Sequence, residues 1–234
     1  MKICFAVIFF LFFSCQKKEP SPKKSDVVIA LGFILGCQYS SNNPLFVNPY
    51  YNRYASDLKQ YTYLILGNST EDIACNSFEG YKGKDTGCFP VSGNKLSDME
   101  SQLCVLNTIK PQWIIAGTMG GNDLLGQIPD EETIRRGKSF VDATNLKYPE
   151  SEKIFIKVHL TRVDYANQHR TKTNTEISNY AILKGWKVLD PDSCFQVDSD
   201  GRALQSNLLD AIHPNSEAMF CIKNKIKSEF GVEY

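Results

Sequence analysis

Apolar residues follow two rhythms along this chain. Short stretches dominated by apolar residues occupy Tyr61 to Leu66, Trp113 to Ala116, Lys153 to Leu160 and Lys187 to Leu189, the first two closed by Gly67 and Gly117. Runs of this length, rich in β-branched and aromatic residues, predict buried strands. Between them the apolar positions fall at helical spacing. Residues 96 to 109 carry Leu96, Met99, Leu103 and Leu106 on one face. Pro129 to Leu146 opens with Asp130, Glu131 and Glu132, acidic residues suited to the positive end of a helix. Glu176 to Trp186 and Ser216 to Phe230 complete the set. Strands alternating with helices predict an α/β domain, with a parallel sheet covered on both faces. No internal repeat or second domain boundary is visible. Residues 26 to 60, rich in Asn, Tyr and Pro around two short apolar runs, yield no assignment.

The first residues follow neither rhythm. Met1 and Lys2 precede an uncharged apolar run, Ile3 to Phe13. A run this short cannot span a bilayer, which needs roughly 20 apolar residues. With its basic start it has the form of a signal peptide over residues 1–14. The run stops at Ser14 and Cys15, which resembles a relaxed bacterial lipobox. Phe12 and Phe13 stand where small or aliphatic residues are usual. Cys15 is thus expected to be acylated, anchoring the mature chain to the membrane. Ordinary cleavage nearby, with Cys15 incidental, is the plainer alternative. Gln16 to Ser25 is rich in Lys and Pro, with no apolar residue to bury. It reads as a solvated tether, so residues 15–25 connect the anchor to one domain over 26–234.

Composition adds compartment more than chemistry. The 26 basic and 26 acidic residues cancel, and nothing in that balance points to nucleic acid. Of eight cysteines, Cys4 lies in the signal peptide and Cys15 is the lipid site. Cys37, Cys75, Cys88, Cys104, Cys194 and Cys221 remain. An even number in an exported chain predicts disulfides, and none has the spacing of a zinc or redox pair. Many pairings are possible, and Cys75 with Cys88 is the simplest because it closes a short loop. Localisation is expected at the bacterial envelope, on the outer membrane or cell surface. The oligomeric state is open.

In open α/β sheets, ligands sit beyond the carboxyl ends of the strands. Three segments are expected there. Asn68-Ser69-Thr70 follows the first strand, Gly120 to Asp123 follows the Trp113 strand, and Asp210 to Asn215 precedes the last helix. Each has an ordinary reading, since Ser after a strand usually caps a helix and Gly-Asn-Asp is turn chemistry. Together they supply the parts of an ester hydrolase. Ser69 is the nucleophile and His213 its base. Asp210, three residues earlier, orients that base. Ser69 N–H, Gly93 N–H and the Asn122 side chain are the donors for an oxyanion. No metal or organic cofactor is needed.

These residues resemble the SGNH (GDSL-type) hydrolases, whose name lists Ser69, Gly93, Asn122 and His213 by type and order. The resemblance covers residues 61 to about 230. It implies a three-layer α/β/α sandwich with a flavodoxin-like parallel sheet of about five strands. It also implies carboxylic-ester hydrolysis through an acyl-enzyme, on a lipid, an acetylated sugar or a small ester. One residue departs from the pattern. Asn68 stands where the family usually has aspartate, keeping its shape and an acceptor but losing its charge. A binding module with weak or absent catalysis is therefore the rival reading, and acyl transfer a third. Gly80, Gly83 and Gly87 compete with Gly93 in the same long loop.

Other motifs fail on a missing residue. Glu71 stands where a nucleophile elbow needs its second glycine, and Ser92 to Lys95 lacks the partner motifs of penicillin-binding enzymes. Gly117 to Gly121 lacks the Lys of a phosphate loop. His159 and His169 stand alone and read as structural or surface residues.

Overall fold

The computed structural model of the protein describes residues 60–106 and 109–234. The expected signal peptide, Cys15, the tether and Cys37 lie outside the described residues. Five strands form one parallel sheet: β1 (Tyr63–Leu66), β2 (Thr86–Cys88), β3 (Trp113–Ala116), β4 (Glu152–Ile156) and β5 (Lys187–Leu189), in the order β2-β1-β3-β4-β5. Among the described residues six α-helices accompany them: α1 (Ser69–Ser77), α2 (Leu96–Val105), α3 (Gly121–Leu125), α4 (Asp130–Lys147), α5 (Asp164–Leu183) and α6 (Ser216–Phe230).

Strand alternation builds two cores. Leu64, Leu66, Ile114 and Phe155 face α2, α4 and α5, with Phe140 and Ile177 packed against them. Ile65, Ile115, Ile154 and Leu189 point the other way, onto Met219 and Ile222 of α6 and Ala74 of α1. This period of two is what strand pleating requires when both faces are covered. The result is the three-layer sandwich expected from the sequence. No helix among the described residues is long and apolar enough to cross a membrane.

Several elements differ from the sequence reading, among them α1 and α3, which lay outside the four predicted helices. β2 was not visible because Thr86-Gly87-Cys88 contains no apolar run. β4 ends at Ile156, so Lys157 to Leu160 is irregular chain leading away from the sheet's carboxyl edge. α5 begins twelve residues before Glu176, at Asp164. Its first turns lack an apolar stripe and are held by polar contacts instead. Asn174 bonds both the N–H and the carbonyl of Val158 at 2.9 Å, and Arg170 grips Asp192 with two bonds.

Two disulfides fasten the second core. Cys75 of α1 joins Cys88 of β2, as the short loop suggested, and Cys194 joins Cys221 of α6. Cys104 is also disulfide-bonded. β1 lies between β2 and β3, so the loops leaving β1 and β3 part at the point where strand order reverses.

Candidate active site

The turn after β1 frees Ser69 from helix capping. Asn68 is the N-cap, extended at φ −118°, and its Oδ1 accepts from the Thr70 N–H at 3.0 Å. Glu71 reaches back to accept the Asn68 N–H at 3.1 Å, closing a capping box. Ser69 therefore takes the first helical position, with its hydroxyl available. Its Oγ lies 2.8 Å from His213 Nε2, and His213 Nδ1 lies 2.7 Å from Asp210 Oδ2. A carboxylate only accepts, so Nδ1 carries the hydrogen and Nε2 accepts from the serine hydroxyl.

Asp210 has a second task. Its Oδ1 accepts the N–H groups of Ile212 (2.7 Å) and His213 (2.8 Å), so one carboxylate builds the turn and aims the ring. Burial opposes its ionisation. The bonds from His213 and Ile212 outweigh that and hold the carboxyl below its ordinary value. The segment is braced from outside as well. Arg162 N–H donates to the Ala211 carbonyl at 2.8 Å, and His159 Nε2 donates to the Ile212 carbonyl at 2.9 Å.

His159 is the site residue that sequence reasoning passed over. It is 2% exposed and stacks on Phe195 with centroids 5.2 Å apart. Burial pushes its imidazole down to about 4, so the ring stays neutral while it holds the base segment. Its place just beyond β4, on the carboxyl edge of the sheet, was the available signal. His169 faces Asp130 and Tyr165 instead.

Asn122 lies on α3, whose N-cap Gly120 has φ 93°. One hydrogen of its amide goes to the Asn94 carbonyl at 2.8 Å, which leaves a second N–H for a ligand. Gly93 (φ 85°) is held from both sides. Ser92 bonds Asp72 of α1 through its N–H and its hydroxyl, and Asn94 is the partner of Asn122. The loop carrying Gly93 is thus tied to the helix of Ser69 and to Asn122. Asp123, fully buried, accepts the Leu96 N–H at 2.9 Å and pairs with Arg136 at 3.0 Å, which fixes α3. Asp192 and Asp198, carboxylates earlier in the same segment, pair instead with Arg170 and Arg162. A small, mainly apolar recess opens beside Ser69 and Asn122, walled by Leu125, Val158, His159 and Ile212.

No family model matches the sequence, and no curated protein does. Solved structures do match. A Bacteroides fragilis protein named as an acylhydrolase superposes with a TM-score of 0.65 at 15% identity, over 81% of this chain and 98% of that one. A GDSL-like lipase from Bacteroides thetaiotaomicron gives 0.61 at 15%, over 76% and 96%. An acetylxylan esterase from Geobacillus stearothermophilus gives 0.56 at 15%, over 75% and 95%. The chain has the SGNH hydrolase fold. At these identities the likeness is one of fold. Within it, the structure brings together Ser69, His213 and Asp210 in one relay, with Asn122 and the Gly93 loop on the adjoining rim.

Proposed function

We propose that the protein is a serine hydrolase that cleaves carboxylic esters through an acyl-enzyme. His213 Nε2 takes the Ser69 proton as Oγ attacks the ester carbonyl, and the positive ring is stabilised by Asp210. Charge on the carbonyl oxygen is met by the Ser69 and Gly93 N–H groups and by Asn122. His213 then protonates the departing alcohol. Water, deprotonated by the same ring, releases the acid and restores Ser69.

The continuous Asp210–His213–Ser69 relay, with both links at 2.8 Å or less, carries this reading. The SGNH fold supports it, since structures sharing that fold bear the names of lipases and acetylxylan esterases. Lipids, acetylated sugars and small esters remain the candidate substrates. The N-terminal sequence supports a setting at the cell envelope, with Cys15 as the lipid anchor. Labelling with a fluorophosphonate tests the reading directly. Wild-type protein should be labelled at Ser69 and hydrolyse p-nitrophenyl acetate, while Ser69→Ala should do neither. Unlabelled wild-type protein, or an active Ser69→Ala variant, would overturn it.

A further inference from the structure

We propose that Glu71 is a positioning residue of this site, holding the Ser69 turn against the Thr118 turn that leads to Asn122. The proposal rests on Ser69 being the nucleophile. Three observations carry it. Glu71 is 2% exposed, and no ion pair reaches it among the described residues. Its carboxyl occupies space that only glycine leaves free, because a Cβ on Gly67 or Gly117 would overlap the carboxyl group. Those glycines end β1 and β3, the neighbouring strands whose loops carry Ser69 and Asn122.

The carboxyl also joins the two turns by hydrogen bonds. Oε2 accepts the Asn68 N–H at 3.1 Å, and Oε1 accepts the Thr118 hydroxyl at 2.7 Å. Asn68 completes the link, donating from Nδ2 to the Thr118 carbonyl at 3.1 Å. Thr118 itself is held at φ 43°, a left-handed conformation that a β-branched residue rarely adopts. Strain of this kind persists where surrounding contacts over-determine it. Here those contacts are Glu71, Asn68 and the Gly121 N–H, which bonds the Thr118 carbonyl at 3.1 Å.

The ionised carboxylate accepts both bonds, whereas the protonated acid must give one oxygen to its own hydrogen. Burial pushes Glu71 up to about 7, against the Thr118 and Asn68 bonds that lower it. The titratable groups facing it are Tyr81, from the loop after α1, and Tyr234, from the segment after α6. Both phenols are raised above their ordinary value, by burial first, and stay neutral. Glu71 is thus the group in this buried set that changes charge near neutrality, and the working form of the turn is the ionised one.

Glu71→Gln, which imitates the protonated form, tests this alongside Glu71→Asp, too short to span both turns. Ester hydrolysis and fluorophosphonate labelling are followed across pH, with thermal unfolding of each chain. The acid limb of log kcat should fall more steeply in the wild type than in Glu71→Gln, the two curves closing a roughly tenfold gap as the wild-type carboxyl takes up its proton near 7. At alkaline pH the Gln variant should lose roughly tenfold in kcat, with KM changed less than about twofold. Glu71→Asp should also lose kcat yet keep the steeper limb. A Glu71→Gln enzyme with wild-type kcat and wild-type slope overturns the proposal. So does one whose activity falls in step with its melting temperature at every pH, the mark of a purely structural role. Failure of the serine-hydrolase reading shows separately, as wild-type protein that is never labelled, and the proposal would fall with it.

Discussion

Asn68 uses both ends of its amide, one to cap α1 and one to donate to the Thr118 carbonyl. The sequence showed the acceptor, which aspartate would share. It could not show the donor's partner, which lies fifty residues away in chain order and meets Asn68 only once β1 and β3 pair. Aspartate at this position, usual in the SGNH hydrolases, should therefore not improve ester hydrolysis. Asn68→Asp would set a carboxylate oxygen against a carbonyl, in a turn that already holds Glu71. Leaving a buried polar group unsatisfied costs about 1–3 kcal/mol. Denaturant unfolding should show a loss of that size, with kcat reduced. A variant as stable as the parent with raised kcat would mean that the site lacks charge at position 68. Glu71 was equally hidden, because in the sequence it only excluded a nucleophile elbow. Ser69, Asp210 and His213 were legible for a different reason. Their spacing follows from local turns, one after a strand and one before a helix.

Elements with an apolar stripe or run were readable, and elements held by other means were not. α6 was expected at Ser216–Phe230 and lies there, because Met219, Ile222 and Ile226 mark its buried face. β2 and the first turns of α5 are secured by a disulfide and by polar contacts, and neither leaves a periodic trace. The Cys75–Cys88 bond is the clearest case, tying an edge strand of three residues to the helix that begins with Ser69. Its closed loop spans a sequence separation of 13, and a loop of about 15 residues is worth roughly 3 kcal/mol by loop entropy. Replacing both cysteines with serine should lower stability by about that amount. It should also reduce ester hydrolysis at temperatures where circular dichroism still shows the native helix content. Hydrolysis that persists until the helices melt would mean that the crosslink stabilises the fold without bracing the site.

Across the whole molecule, two buried titratable groups pull stability in opposite directions with pH. Glu71 has an ordinary value of 4.5 and is raised to about 7 when folded. Between those values the native state keeps a proton that the unfolded chain releases, so stability falls as pH rises through that window. His159 is lowered from 6.5 to about 4, and there the unfolded chain binds the extra proton. Its contribution is present above 6.5 and is lost as pH falls towards 4. At about 1.4 kcal/mol per unit, each effect is bounded at roughly 3–4 kcal/mol. Glu71→Gln should therefore gain stability over the parent progressively from about pH 4.5 to about pH 7 and hold that gain above it, even as its activity drops. A constant difference across that range would show that Glu71 does not titrate there. The sandwich itself was predictable from alternating strands and helices. This opposition was not, because burial of a single Glu or His is settled only when the layers close.

Thr118 carries that trade into the space of sequences. Its left-handed backbone is one that glycine adopts without cost. In a library randomised at position 118 and screened for heat resistance alone, glycine and asparagine should come to dominate. Screened for ester hydrolysis, the same library should retain threonine or serine, whose hydroxyl can donate to Glu71. The divergence between the two populations, read by sequencing, would measure how far durability and turnover are set against each other at a single codon.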